Sequence, residues 1–416
     1  MKKAFLVGVG IGETDSQDIE NSLNELSGLA YTAGITVAGT TIQKRTYVDP
    51  AYYIGQGKAL EIKELCENAG ADTIIFDDAL RPVQQRNLSE LTGFEVLDRT
   101  KIILDIFANR ARTKEGKLQV ERAALTYKLS RLSRKGVSLD SQAGGIGTRR
   151  GPGERKIEND KRIIRDRIAT IDTAIKKIKT TRNTQGKARL KGDLPEIAIA
   201  GYTNAGKSTF LKALSNSNIY ADDKLFATLD PTTRRVKLPN GRVVIFTDTV
   251  GFIQKLPHDL VAAFKSTMEE ILRATLILHI VDASNPDYQN QQKTVLNVLN
   301  EIGAAHIPVL TVYNKADKLI SREQKNLKAA AGFVISAKTL IGVKKLLNYV
   351  SKAVSPAHKQ YKISIPHASS GAMLSKIYAL ANVKKLTWGK KTTTVFFESS
   401  KDNYAKISKL VKNIKE

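Results

Sequence analysis

Over the first hundred residues, short apolar runs alternate with stretches of helical period. "AFLVGV" (4–9), "ITVAGT" (35–40), "DTIIFD" (72–77) and "FEVLD" (94–98) read as strands. Between them "IENSLNELSGLA" and "ALEIKELCENAG" space their apolar residues three and four apart, as a helix with one buried face does. That alternation predicts a small α/β domain with a largely parallel sheet. The opening "MKKAFLVGVGIGETD" sets two lysines before an apolar run. Glycines at 8, 10 and 12 break the run and Glu13 ends it, so it reads as a buried strand and turn rather than a leader. These glycines lack G-x-G-x-x-G spacing, which removes a dinucleotide-binding reading.

Two longer helical patterns follow, over roughly 114–136 and 154–184. Leu118, Ala123, Leu125, Leu129 and Leu132 share a face in the first. Ile157, Ile163, Ile164, Ile168, Ile171, Ile175 and Ile178 share one in the second. They predict an antiparallel two-helix stalk. Its tip, "DSQAGGIGTRRGPGERK", is too rich in glycine to hold a helix and carries Arg149, Arg150, Arg155 and Lys156. "TTRNTQGKARLKGDLP" reads as a linker, and "VSPAHKQ" closes the segment after it. The tail reads strand, helix, strand, helix ("YKISIP", "GAMLSKIYALANV", "TTTVFFES", "NYAKISKLVKNI"). The expected organisation is therefore an α/β multidomain chain. It comprises an N-terminal α/β domain (1–100), a basic helical hairpin (101–192), a domain of mostly parallel sheet with helices on both faces (193–355) and a small α+β domain (356–416).

Charge sharpens this picture. The 416 residues carry a formal +25, distributed as −6 over 1–100, +16 over 101–192 and +15 over the remainder. Clustered Lys and Arg point to a polyanion, since neutralising phosphates releases counterions. A flexible basic tip on a stalk suits a crowded RNA site. One cysteine, Cys66, excludes an internal disulfide framework, and no apolar window reaches the length of a membrane helix. A cytoplasmic protein without stable membrane insertion is expected. One cysteine and five scattered histidines give zinc or Ser-His-Asp chemistry no support.

The third segment carries the chemistry. Gly201-x-x-x-x-Gly206-Lys207-Ser208 is a Walker A loop between a strand and a helix. Backbone amides through Tyr202, Thr203, Asn204 and Ala205 would curl around phosphates, with Thr209 following on the helix. Lys207 would bridge the β and γ phosphates and Ser208 would ligate Mg2+. "VVIFTDTVGF" runs a buried strand into Asp248-Thr249-Val250-Gly251, where an aspartate binds Mg2+ and the glycine amide senses the γ-phosphate. "VLTVYNKADK" ends in Asn314-Lys315-Ala316-Asp317. The Asp317 carboxylate can accept from guanine N1–H and the exocyclic amine, donors that adenine lacks in that arrangement, which selects GTP over ATP. "FVISAK" adds Ser336, Ala337 and Lys338, where a backbone amide could reach guanine O6. Lys207 and Gly251 are thus catalytic candidates. The interval "KLFATLDPTTRRVKL" offers Thr228, Thr232 and Thr233 as the threonine that closes over the metal, and spacing does not choose among them. Phe252 follows Gly251 and has no polar group to orient a water, which implies slow intrinsic hydrolysis. Asn204 is a candidate for holding K+ beside the phosphates.

With these residues in view, the chain resembles the HflX-type ribosome-associated GTPases of the Obg-HflX group. The likeness rests on "IGQGKALEI", "RPVQQRNL", "QVERAALTYKLSRL", "GGIGTRRGPGE", "GYTNAGKST", "LFATLDPTTR", "DTVGFIQKLPHDLVAAFKSTMEE" and "NKAD". It implies Thr228 as the Mg2+-sensing, catalytic threonine and adds Phe226, Ala227, Leu229 and Asp230 to the nucleotide-contacting set. It also implies a factor, expected to be a monomer, that binds the large ribosomal subunit and rRNA. In its GTP state such a factor splits stalled or idle ribosomes, and hydrolysis to GDP resets it. Ribosome assembly on large-subunit precursors and ATP-dependent rRNA remodelling are the alternatives. "IGQGK" in the first domain is not a Walker A, and the tail falls outside the resemblance.

Overall fold

The computed structural model describes residues 2–132, 152–190, 194–215, 225–226, 231–255, 265–321, 323–324, 327, 332–354, 359–367, 370–389, 391–399 and 401–412. The chain forms two compact units, one of Met1–Lys237 with Val243–Lys344, the other of Leu238–Arg242 with Lys345–Glu416.

The first unit opens with a four-stranded parallel sheet ordered β2-β1-β3-β4, built from β1 (Lys3–Ile11), β2 (Thr36–Arg45), β3 (Thr73–Phe76) and β4 (Glu95–Asp98). Helices α1 (Ser16–Thr32), α2 (Gln56–Ala69), α3 (Pro82–Thr92) and α4 (Arg99–Arg110) connect and follow the strands. The glycines of β1 allow α1 to lie close. A Cβ on Gly8 would stand 2.9 Å from Leu23 Cδ1, and one on Gly10 would stand 2.4 Å from Ile19 Cδ1. The boundary expected at residue 100 falls inside α4, whose Ile102, Ile103, Ile106 and Phe107 are buried.

Helix α5 (Lys114–Leu132) packs on α6 (Pro152–Leu190). Of the face expected on α5, only Ala123 is buried. The buried positions are Gly116, Gln119, Val120 and Ala123. Polar anchors set this rotation: Tyr127 Oη donates to Asp98 Oδ1 at 2.9 Å, and Arg131 Nη2 pairs with Asp98 Oδ2 at 2.7 Å while its guanidinium covers the Tyr127 ring at 3.2 Å. On α6, Ile164 and Ile171 are buried, whereas Ile163, expected on the same face, is 57% exposed. Arg122 pairs with Asp172 at 2.5 Å and Arg167 with Glu121 at 2.7 Å.

Helix α6 is also longer than its apolar pattern predicts. It takes in Pro152–Lys156 from the expected glycine-rich tip and continues to Leu190 through most of the expected linker. Pro152 suits a first helical turn. Past that first turn Gly186 is the one glycine in the helix, a cost of about 1 kcal/mol. Arg149 and Arg150, and the side chains of Arg155 and Lys156, lie outside the described residues.

The same unit then builds a six-stranded sheet ordered β10-β9-β8-β5-β7-β6. Its strands are β5 (Glu196–Gly201), β6 (Thr232–Lys237), β7 (Val243–Asp248), β8 (Leu276–Asp282), β9 (Val309–Asn314) and β10 (Phe333–Val334). Only β6, against β7, is antiparallel. Helices α7 (Lys207–Ser215), α8 (Lys265–Leu272) and α9 (Tyr288–Glu301) belong to this layer. Central strand β5 is buried from Ile197 to Gly201, as a doubly covered parallel strand should be.

After α10 (Val343–Ala353), the second unit contains β11 (Lys359–Pro366), α11 (Ser370–Leu380), β12 (Asn382–Trp388), β13 (Thr392–Ser399) and α12 (Lys401–Lys412), with an antiparallel sheet ordered β11-β13-β12. Strand β12 was not among the expected elements. It is an edge strand whose Lys384 and Lys385 fall where its register shifts, which hides the alternation. Among the described residues no helix is long and apolar enough to cross a membrane.

Candidate functional site

Strand β5 delivers the chain to Gly201, from which it turns through Tyr202–Gly206 into the first turn of α7. Gly206 has φ +92°, and a Cβ there would lie 2.2 Å from Asn314 Nδ2, so glycine alone fits. Asn204 is also left-handed, at φ 59°. The ammonium of Lys207 donates to Gly201 O at 3.0 Å and Tyr202 O at 2.7 Å. Burial pushes its pKa down to about 8, opposed by nearby Asp248. Ser208 Oγ donates to Asp248 Oδ2 at 2.7 Å. A hydroxyl and a carboxylate converging in this way are hard oxygen donors of the kind Mg2+ takes, with phosphates and water completing its shell. Thr209 follows on α7.

Strand β7 ends at Asp248, and Thr249 Oγ1 donates to Ile199 O at 2.8 Å. Past buried Val250, the turn is closed against the loop: Thr203 N donates to Phe252 O at 2.7 Å and Phe252 N to Gly201 O at 3.1 Å. Gly251 lies so near that a Cβ would stand 2.9 Å from Thr203 Cγ2 and 3.1 Å from Lys207 Nζ. Phe252 is only 1% exposed, so its ring belongs to the core.

Strand β9 ends at Asn314, whose side chain joins two loops. Its Nδ2 donates to Ala205 O at 2.9 Å, and its Oδ1 accepts from Ala337 N at 2.9 Å. Lys315 pairs with Asp282 Oδ2 at 2.7 Å, and Ala316 N donates to Ile335 O at 3.0 Å. Ser336 Oγ donates to Asp317 Oδ1 at 2.5 Å. This bond, with Lys338 and Lys318 nearby, holds the exposed Asp317 carboxyl below its ordinary pKa. The segments Gly201–Ser208, Asp248–Gly251, Asn314–Asp317 and Ser336–Lys338 thus meet at the carboxyl edge of the sheet. Ala227, Thr228, Leu229 and Asp230 lie outside the described residues, while Thr232 and Thr233 begin β6, Thr232 opposite Asp248.

A second set of contacts escaped the sequence reading. Tyr202 Oη bonds to Glu25 of α1 and accepts from Gln254 N at 2.7 Å. Arg99, 1% exposed, pairs with Glu25 and, at 2.7 Å, with Asp77. Lys255 pairs with Asp77 and with Asp78 at 2.6 Å, and Ser22 Oγ donates to Asp77 Oδ2 at 2.6 Å. Burial raises the Asp77 pKa while Lys255 and Ser22 oppose the rise. Phe226 stands edge-on to Phe107 of α4 at 4.7 Å between ring centroids. A cavity of about 710 Å³ opens between α1 and the loop, bordered by Asn21, Glu25, Gly28, Thr203, Asn204 and Gln254. The one signal in sequence was the acidic pair Asp77-Asp78 at the carboxyl end of a buried strand.

Three known families match successive stretches of the chain. Residues 20–108 match the family described as GTP-binding GTPase N-terminal, 110–189 the GTP-binding GTPase middle region, and 196–315 the 50S ribosome-binding GTPase family. The chain is 49% identical over 351 residues to GTPase HflX of Caldanaerobacter subterraneus subsp. tengcongensis, covering 84% of this chain and 80% of that protein. It is 42% identical over 378 residues to GTPase HflX of Escherichia coli (strain K12), covering 89% and 88%. A guanine-type loop set on a parallel sheet, preceded by an α/β domain and a helical pair that match part for part, places this chain in the HflX family of GTPases.

Proposed function

We propose that this GTPase binds the large ribosomal subunit and, loaded with GTP, separates ribosomes into subunits, hydrolysis to GDP resetting the cycle. In this reading the amides of Gly201–Ser208 and Thr209 hold the phosphates, and the Lys207 ammonium leaves its carbonyl partners for the β and γ oxygens. Ser208, Asp248 and Thr228 serve Mg2+, which neutralises phosphate charge when bound. Gly251 reports the γ-phosphate through its amide. Asp317 accepts from the guanine edge, and Ala337, flanked by Ser336 and Lys338, reaches O6. Ala227, Leu229 and Asp230 close over the nucleotide, Phe226 anchoring that segment through its ring on Phe107 rather than touching the nucleotide as expected, and Asn204 supplies a carbonyl oxygen to K+. The protein acts as a cytoplasmic monomer.

The observation that carries the nucleotide assignment is the Asn314 side chain, which joins the phosphate loop at Ala205 to the guanine-side loop at Ala337. The ribosomal assignment rests on the family resemblance and on the +16 charge of residues 101–192. Arg149, Arg150, Arg155 and Lys156 would meet rRNA phosphates there. Sucrose gradients of purified ribosomes with this protein and a non-hydrolysable GTP analogue test it. Co-migration with the large subunit and loss of intact ribosomes are expected; unchanged profiles without co-migration would reject it. Co-migration with immature large-subunit particles alone would favour assembly instead.

A further inference from the structure

Among its described residues, the sheet and two helices of the small second unit form two layers that leave one sheet face exposed. Strands β11 and β13 send Ile365, Val395 and Phe397 inward against Met373 and Ile377 of α11 and Ile407 and Val411 of α12, and β12 adds the partly buried Val383 and Leu386. Alternation then sends the intervening residues outward. On β13 these are Thr392, Thr394, Phe396 and Glu398, and Phe396 is 38% exposed although it occupies the middle strand.

Register makes the outward face specific. Phe396 lies opposite Lys362 on β11 and opposite Lys385 on β12, so one aromatic ring is flanked across both ladders by exposed lysines. Neighbouring strands lie about 5 Å apart, which puts both amine stems within reach of whatever stacks on that ring. Neither lysine is ion-paired among the described residues. The face's acid, Glu398, is taken up by Lys384 at 3.2 Å. The adjoining row is Ser364, Thr394 and Thr387, and Ser364 Oγ lies 3.2 Å from Thr394 Oγ1. Across residues 359–412 eleven lysines stand against Glu398 and Asp402.

A docking face for a protein would hold a contiguous apolar patch. Here a lone phenylalanine is set among ammonium and hydroxyl groups. That combination suits a nucleobase stacked on a ring, phosphates at the two lysines, and 2′-hydroxyls or base edges at the hydroxyl row. We infer that the open β11-β13-β12 face is a second RNA-binding surface, taking a short single-stranded RNA segment with one base on Phe396. The inference goes beyond the ribosomal reading, because it requires neither nucleotide nor the stalk.

The test uses the full-length chain and a fluorescein-labelled ten-nucleotide oligouridine, followed by anisotropy at several salt concentrations. It is repeated with Arg149→Ala, Arg150→Ala and Arg155→Ala present, so that the stalk tip does not mask the sheet. Phe396→Ala is expected to weaken RNA binding on the order of tenfold with the salt slope kept, while Phe396→Trp retains affinity. Lys362→Ala with Lys385→Ala should lower the slope by about 0.7 per lost contact. GTP hydrolysis should stay at the wild-type rate in the Phe396 variants and in Lys362→Ala with Lys385→Ala, each made singly in the wild-type chain. If Phe396→Ala lowers the melting temperature, Phe396→Leu keeps the apolar bulk without the ring and should lose affinity to the same degree. Unchanged RNA affinity in Phe396→Leu would overturn the inference. So would an equal loss of affinity for inorganic polyphosphate, which has no base to stack. Either result would leave ribosome co-sedimentation, measured separately, untouched.

Discussion

Lys255 donates to Asp78 Oδ1 at 2.6 Å, linking the segment that leaves the Asp248–Gly251 turn to the end of β3 in the N-terminal α/β domain. The same ammonium reaches Asp77, which Arg99 holds from its other side. A carboxylate buried to 1% exposure is thus shared between the two sheets of one unit. Together with the Tyr202–Glu25 bond, this places the N-terminal domain against both the phosphate loop and the segment after Gly251.

Removing Arg99 should therefore be costly. Arg99→Met leaves the Asp77 and Glu25 carboxylates without their buried cation, and a loss of about 3–5 kcal/mol is expected in urea unfolding. Lys255→Ala should cost less, about 1 kcal/mol, since Asp77 keeps Arg99 and Ser22. Amide exchange at residues 252–255 should nevertheless accelerate in that variant, and unchanged exchange would show that the contact does not restrain the segment.

Asn314→Ala deletes both bonds of the loop bridge and strands Ala205 O and Ala337 N. With each unsatisfied buried group costing about 1–3 kcal/mol, a stability loss of several kcal/mol is expected, accompanied by weakened GDP binding. Denaturant titration alongside calorimetry with GDP separates the two effects.

Base choice is expected to reside in Asp317. Asp317→Ala should weaken GTP on the order of a hundredfold, two charge-assisted bonds being lost, and leave the weak ATP affinity where it was. Isothermal titration with both nucleotides checks this, and equal losses for the two would move guanine recognition elsewhere.

His279 on β8 predicts a pH effect. It is 1% exposed, and burial, with Lys207 nearby, pushes its pKa down to about 4 from the ordinary 6.5. The folded chain keeps the ring neutral where the unfolded chain takes up a proton. The resulting stability is full above pH 6.5 and is lost as pH falls from there through 4. The difference amounts to on the order of 3 kcal/mol. His279→Leu should flatten that window relative to the parent protein in urea melts at pH 7, 5.5 and 4.5; parallel curves would refute the assignment.

Neutralising Arg149, Arg150 and Arg155 together should weaken association with large subunits and reduce its salt dependence by roughly one slope unit per lost phosphate contact. Filter binding over a salt series reads both quantities, and an unmoved slope would remove the tip from the RNA interface.

The strands of the first sheet and the loops around Gly201, Asp248 and Asn314 were legible from local pattern. A buried parallel strand must be continuously apolar, and a phosphate loop must place its glycines, lysine and hydroxyl at fixed offsets along one chain. The extension of α6 through Gln185–Leu190 was not legible, because the residues carry no apolar period and only continuation of a formed helix explains them. The rotation of α5 was hidden for a different reason. Its buried face is chosen partly by Tyr127 and Arg131 reaching Asp98, a contact between residues about thirty positions apart.

The sequence alone determined the nucleotide-binding chemistry, because each motif acts through residues adjacent in the chain. Tertiary structure decided what those motifs touch. Asn314 reaches Ala205 across 109 positions, and Tyr202 meets Glu25 across 177. Such pairings depend on how sheets and helices stack, which short-range periodicity does not encode. The same holds for Phe396 between Lys362 and Lys385, a row that exists only once three strands have found their register.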